Sequence, residues 1–241
     1  MKISSGGLRK VDFDQFSHNY REALRSCTGL LGKSDDFFAS VKLHCLKNWV
    51  LTDDGSCEIL DFGCGIGALS GFLAKDFPNS QIYGYDISQK CLSVAKENNA
   101  GVKNVRFASD LPQGKKYDLI IAANVFHHIK PPERVGALCF LKELLKPKGK
   151  IIIFEHNPFN PLTRSIVRSC PFDSDATLIW RREFCGLTKT SGLEIVNNYY
   201  ILFFPWASKI FRKLENLLKA MPLGGQYMLL LEVIPKPSEG R

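Results

Sequence analysis

Up to Leu51, apolar side chains return at helical spacing. Phe16, Tyr20 and Leu24 stand four apart, and Asp12 or Asp14 before them can accept the open N–H groups of a first helical turn. Ser34 or Asp35 does the same for a second helix carrying Phe38, Val41, Cys45 and Trp49. Asp53-Asp54-Gly55 then breaks the pattern as a loop.

Strands and helices alternate after that. Glu58–Phe62 is a short strand that runs into glycines, and Ala68–Asp76 reads as a helix. Residues 81–86 read as a strand, with Ser88 capping the helix behind it, and 104–108 and Tyr117–Ala123 are two more strands. Pro131-Pro132 opens a helix that runs to Leu145, where Pro147 and Gly149 stop it. Residues 150–155 are an apolar run between charges, as in a strand buried on both faces of a parallel sheet. This alternation requires right-handed crossovers and predicts a Rossmann-like, doubly wound α/β sheet.

Beyond residue 156 the pattern loosens. Asn157-Pro158-Phe159-Asn160-Pro161 is a rigid loop, followed by a helix over 175–190 and a strand over 193–204. A basic amphipathic helix occupies 208–220, and a last strand occupies 226–234. The expected organisation is an N-terminal helical cap over 1–51 and an α/β core over 52–234. Cap insertions are expected at 156–175 and 205–225, and a polar tail at 235–241.

The formal net charge of +8 favours anionic partners, although it also serves solubility. No lysine or arginine block is long enough to resemble a nucleic-acid-binding tail, so a nucleic-acid partner is not expected. No apolar run approaches the length of a membrane span, and none follows Met1 in the manner of a secretory signal. The eight cysteines form no CxxC pair and no group with zinc-ligand spacing. They are expected to be reduced thiols in a cytoplasmic protein without a metal site.

The candidate chemistry sits in Asp61-Phe62-Gly63-Cys64-Gly65-Ile66-Gly67. Gly63 and Gly65 allow a tight turn and let the backbone approach a ligand. Asp86 ends the second strand, where a carboxylate can accept both ribose hydroxyls of an adenosine. Gly63, Gly65 and Ala68 also satisfy the G-x-G-x-x-G/A dinucleotide fingerprint, so an NAD(P)-dependent oxidoreductase is a competitor. Three features weigh against it. Asp61 would repel a pyrophosphate but suits a cationic amino-acid moiety. Asp110-Leu111-Pro112 closes the third strand, where a carboxylate can meet an adenine amine. The last third contains no second βαβ half.

Taken together, these pieces resemble the class I S-adenosylmethionine-dependent methyltransferases. The matching runs, in family order, are 58–67, 82–86, 107–111, Tyr117-Asp118-Leu119-Ile120, Val125-Phe126-His127-His128-Ile129 and 144–153. The resemblance implies a seven-stranded sheet with an antiparallel last strand. It also implies transfer of a methyl group from S-adenosyl-L-methionine to a small-molecule acceptor, leaving S-adenosyl-L-homocysteine. Carried over position by position, Gly63, Cys64 and Gly65 approach the methionine part of the cofactor, with Asp61 near its amino group. Asp86 holds the ribose, Ile87 lies against the adenine, and Asp110 and Leu111 border it. Asn124 lies near the amino group and the sulfonium, and Tyr20 covers the cofactor from the N-terminal helices.

His127 and His128 are the candidate catalytic bases, although a histidine after the fourth strand is often structural in this family. The acceptor pocket is expected under three segments, 124–131, 156–175 and 205–225. They carry Phe126, Phe159, Arg164, Arg168, Phe172, Trp206 and Phe211, a mixture suited to an acceptor with an apolar body and an anionic part. Ile210, Phe211, Leu214, Leu217 and Leu218 share one helix face opposite Lys209, Arg212, Lys213 and Lys219. That face can dock on the domain, meet an amphiphilic substrate or touch a membrane surface. A non-catalytic S-adenosylmethionine-binding protein with a plugged acceptor cleft also remains open.

Overall fold

The computed structural model describes residues 35–49, 56–205 and 209–235. Among them, seven strands form one sheet: β1 (Glu58–Phe62), β2 (Gln81–Tyr85), β3 (Val105–Ala108), β4 (Tyr117–Ala123), β5 (Leu145–His156), β6 (Leu193–Ile201) and β7 (Gln226–Val233). Their order is β3-β2-β1-β4-β5-β7-β6. The first five run parallel, and β7 lies antiparallel between β5 and β6. The helices are α1 (Asp35–Trp49), α2 (Ala68–Asp76), α3 (Gln89–Asn98), α4 (Arg134–Glu143), α5 (Pro161–Ser169), α6 (Arg181–Thr190) and α7 (Lys209–Leu218).

Strand periodicity builds the two cores. Leu119 and Ile121 of β4 face one side, with Ile59, Ile152, Phe154 and Met228, and pack against Leu46 of α1 and Leu73 of α2. Ile120 and Ala122 face the other side, with Leu60, Ile151, Ile153 and Leu229, under Leu138 and Leu141 of α4 and Phe184 of α6. Because both faces are covered, β4 and β5 carry nearly continuous apolar runs rather than alternation. Each isoleucine buried there contributes about 1.5–3 kcal/mol by leaving water.

The predicted elements appear with several shifted ends. Ser88 does cap α3, its side chain accepting from Cys91 N at 3.1 Å. The helix expected to reach Leu145 stops at Glu143, and β5 already pairs Leu145 with Tyr117. The register then slips before Lys150 meets Leu119, and Lys148 takes a φ of 66° within this irregular stretch of β5. The helix expected from 175 starts at Arg181, because Thr177 N donates to His127 O and holds its segment outside the helix. The strand expected to reach 204 ends at Ile201, since Leu202 takes a φ of 61° and its carbonyl accepts from Gly225 N. The insertion at 156–175 is not irregular throughout: Asn160 caps α5 within it by accepting from Leu162 N and Thr163 N. The first expected helix, with Phe16 and Tyr20, lies outside the described residues, as do Trp206 and most of the polar tail.

Candidate active site

The order of strands reverses between β1 and β4, and a crevice opens at their carboxyl ends. It is a cleft of about 1910 Å³, lined by Asp61, Gly63, Cys64, Gly65, Asp86, Ile87, Asp110, Leu111, Asn124, His127 and His128. Every sequence-predicted site residue among the described ones is therefore brought to one cavity.

The glycine turn is held from both sides. Gly63 N and Cys64 N donate to Tyr85 O at 2.7 and 3.0 Å. Asn98 Nδ2 donates to Ile66 O, and Asn99 Nδ2 to Gly67 O, so α3 fastens the far end of the turn. Gly65 N donates to Asp86 Oδ2 at 2.8 Å, and Ser88 N donates to Asp86 Oδ1 at 2.9 Å. Each carboxylate oxygen keeps acceptor capacity for a hydroxyl. Gly65 has a φ of 52° with nothing within 4 Å of the place a Cβ would occupy. That leaves an open cradle beside Asp86.

Asp61 lies beneath the turn, only 2% exposed, and its Oδ2 accepts from Ser70 Oγ at 2.5 Å. Burial, then the Asp61 and Asp86 carboxylates, push the Cys64 thiol well above the usual thiol range, so it stays protonated. Phe62 and Tyr85 stack at 5.1 Å between centroids on the cleft wall. Asn124 takes a φ of 58° where β4 ends, and its Oδ1 accepts from Gln226 Nε2 at 3.0 Å. Gln226 Oε1 is buried there and makes no hydrogen bond. Asp110 is exposed at the cleft rim, with Leu111 half-buried beside it. These features fit an adenosyl ligand with a charged amino-acid end: an open backbone cradle, a carboxylate with spare acceptor capacity and an unpaired amide oxygen.

The histidines occupy the deeper part of the cleft. His127 Nδ1 meets Glu155 Oε2 at 2.6 Å, and Glu155 Oε1 accepts from Phe126 N at 2.7 Å. His127 Nε2 faces Asp173 Oδ1 at 3.4 Å. Burial alone would push the His127 imidazole down, but Glu155 and Asp173 hold it up, to about 10. Burial would raise the Glu155 carboxyl, and the His127 charge lowers it instead. Asp173 is likewise drawn down to about 2, against its burial, by His127. His128 Nδ1 meets Asp175 Oδ1 at 3.0 Å, and its Nε2 stands 3.5 Å from Asp173 Oδ1. Burial and then the His127 charge push His128 below its ordinary value, and push His156 down to about 4.

The expected roof is only partly the observed one. Phe172 lines the cleft, but Phe126 is fully buried against Phe184, with centroids 5.3 Å apart, because it anchors the turn after β4 in the core. Phe159 points outward at 53% exposed. Arg164 and Arg168 lie on the outer side of α5 and border a separate hollow of about 340 Å³. Phe211 packs on Phe204 at 5.0 Å rather than reaching the cavity. The aromatic lining comes instead from Phe37 and Phe38 of α1 and from Phe203 and Phe204 after β6. In the sequence Phe38 stands only as a helix position, and no spacing marks Glu155, Asp173 and Asp175 as partners of the histidines. Their one signal was an acid at the end of a buried strand and two acids in the loop after α5.

Two roof segments are stitched together. Asn157 N donates to Gly225 O, and Asn157 Nδ2 donates to Pro222 O and Gly224 O. Asn160 Nδ2 donates to Leu223 O, and Thr163 Oγ1 to Gly225 O.

A family model described as "Methyltransferase domain" matches residues 60–151. The chain is 36% identical over 109 residues to a malonyl-[acyl-carrier protein] O-methyltransferase of Halalkalibacterium halodurans, covering 42% of this chain and 39% of that protein. It is 29% identical over 193 residues to malonyl-[acyl-carrier protein] O-methyltransferase 1 of Ilyobacter polytropus, covering 77% and 69%. The matched stretch thus spans about two fifths of the first relative (39%) and about two thirds of the second (69%). Among solved structures, magnesium protoporphyrin IX methyltransferase of Synechocystis PCC 6803 with bound SAH superposes with a TM-score of 0.63 at 18% identity, covering 90% of this chain and 95% of that one. Residues 60–151 thus match the methyltransferase-domain family model, and the sheet order is that of the Rossmann-like methyltransferase fold these solved structures share.

Proposed function

We propose that the protein is an enzyme that moves a methyl group from S-adenosyl-L-methionine to a small, anionic or amphiphilic acceptor, releasing S-adenosyl-L-homocysteine. The observation that carries this reading is the Gly63–Gly65 turn held open by Asp86, with the acidic Asp61 beneath it. In it Asp86 holds the ribose, Asp110, Leu111 and Ile87 border the adenine, and Asp61 and Asn124 orient the amino-acid end. When bound, the cofactor supplies a methyl group already made electrophilic by its sulfonium. The chain then has to hold a nucleophile in line and exclude water, with little acid–base work. The apolar lining from Phe37, Phe38, Phe172 and Phe203 supports both tasks.

The anionic acceptor is supported by relatives named for malonyl-[acyl-carrier protein] and magnesium protoporphyrin IX, both of which carry carboxyl-derived groups. It is also supported by the net charge of +8. The amphiphilic option, including peripheral membrane contact through 208–220, draws on α7, which leaves Ile210, Leu214 and Leu217 exposed. Among the described residues no helix is long and apolar enough to cross a membrane.

Calorimetry tests the reading. S-adenosyl-L-homocysteine is expected to bind at one site per chain and NAD not to bind. Asp110→Ala is expected to weaken that binding more than Asp110→Asn, whose carbonyl still accepts. Binding of NAD with none of S-adenosyl-L-homocysteine would return the chain to the oxidoreductases.

A further inference from the structure

His127, His128 and Asp173 bring ligand atoms within 4.8 Å of one another at the cleft wall. Both imidazoles have their Nδ1 engaged, His127 by Glu155 and His128 by Asp175. This carboxylate–histidine pairing is the outer shell that fixes the ring and tautomer of metal-ligating histidines, and it leaves each Nε2 as the coordinating atom. Both Nε2 atoms face the same oxygen, Asp173 Oδ1. His127 Nε2 is buried, in a side chain only 1% exposed, and makes no hydrogen bond.

The distances favour a metal over a shared proton. A charge-assisted N–H···O bond closes to about 2.7–2.9 Å. The two separations here are 3.4 and 3.5 Å. Ligand atoms at about 2.0–2.1 Å from a tetrahedral ion stand about 3.4 Å apart, which is the edge length observed. The sequence concealed this set, because Asp173 stands 45 residues beyond His128 and no ligand spacing marks it.

We infer that His127, His128 and Asp173 form a binding site for a divalent transition-metal ion such as Zn²⁺, with an open coordination position facing the cleft. Two imidazole nitrogens and one carboxylate oxygen suit that class of ion, and three protein ligands leave the fourth position free. On the methyl-transfer reading, that position would take an oxygen of the acceptor. The metal site itself does not depend on that reading.

The test uses full-length protein freed of metal by chelator dialysis and titrated with Co²⁺. One equivalent is expected to produce the visible absorption of tetrahedral cobalt with nitrogen and oxygen ligands. Zn²⁺ is expected to displace it. Asp173→Asn and His128→Gln are expected to weaken Co²⁺ binding at least 100-fold, and Glu155→Gln about 10–100-fold, the usual effect of removing an outer-shell partner. Far-ultraviolet circular dichroism and S-adenosyl-L-homocysteine titration report separately on the fold and on the cofactor half. His128, at 17% exposed, is the replacement that carries the test if changes at His127 unfold the chain. Acetohydroxamate, an oxygen ligand, is expected to shift the cobalt band, and an unshifted band would overturn the open position. No stoichiometric band, or binding unchanged in both His128→Gln and Asp173→Asn, would overturn the site and leave the cluster as a structural charge network.

Discussion

Asp86 accepts a 2.8 Å hydrogen bond from the backbone N–H of Gly65, twenty-one residues earlier in the chain. One carboxylate thus ties the end of β2 to the turn after β1 and stands at the mouth of the open cradle. Asp86→Ala is expected to weaken S-adenosyl-L-homocysteine binding by about 1.5–3 kcal/mol, the scale of hydrogen bonds to a charged group. Asp86→Asn should lose less, since its carbonyl still accepts from Gly65. Isothermal titration of the three proteins checks this, and equal affinities would remove Asp86 from the site.

The two glycines of the turn should fail in different ways. A Cβ on Gly63 would stand 2.6 Å from Val125 Cγ2, on a backbone with a φ of 76°. Gly63→Ala is therefore expected to lower stability by about 1–3 kcal/mol through strain and overpacking. Gly65 has open space where its Cβ would go. Gly65→Ala should cost only about 1 kcal/mol of backbone strain, while its methyl group intrudes on the ligand cradle and lowers affinity more than tenfold. Denaturant melts and ligand titrations of the pair separate the two effects.

The cofactor half was legible because its chemistry is local. The glycine turn follows its strand at once, and Asp86 ends the next one, so chain spacing and spatial spacing coincide. The end of α2 was readable for the same reason. The histidine cluster was not, because its partners arrive from the end of β5 and from the loop after α5. Glu155 looked like a strand-terminal charge, yet it is fully buried. The apolar roof escaped because Phe37 and Phe38 are adjacent on α1, and only the packing of that helix shows that both reach the cleft. Ends of elements moved where a positive φ intervened, at Lys148 and Leu202, which side-chain periodicity does not report.

Acid should loosen the amino-terminal end of the central strand β4 near Asp118. Burial raises its carboxyl, but Glu58 N at 2.8 Å and Lys146 Nζ at 2.7 Å outweigh that and hold it below the usual range. A lowered folded value stabilises the protein above the unfolded value of about 3.9, and the gain is lost as pH falls through the folded value. The side chain is 36% exposed, so solvent screening limits the effect to about 0.5–1 kcal/mol. Asp118→Asn is expected to lower the melting temperature at pH 7 and to match the parent at pH 2. A gap that persists at pH 2 would show that the charge is not responsible.

Asn160 both caps α5 and reaches Leu223 O at 2.7 Å. Asn160→Ala is expected to cost about 1–2 kcal/mol, the upper range for losing a cap. Asn160→Ser keeps a capping oxygen but not the reach to Leu223, so it should recover most of the stability while leaving the roof looser. Hydrogen exchange at Leu223 and Gly225 measures the second effect, and full protection in the serine variant would show that the reach to Leu223 holds nothing.

The amide of Asn157, donating to Pro222 O and Gly224 O, also constrains how this molecule can be rebuilt. A graft that replaced 157–163 with a relative's loop would remove the side-chain donors to the carbonyls of 222–225, of which that of Gly224 is buried. The reverse exchange would strand the asparagine amides. The two stretches therefore form one unit of inheritance, although α6, β6 and α7 separate them along the chain. Diversification toward a new acceptor has to pass through paired changes, and a chimera made at one junction alone carries a seam that does not close.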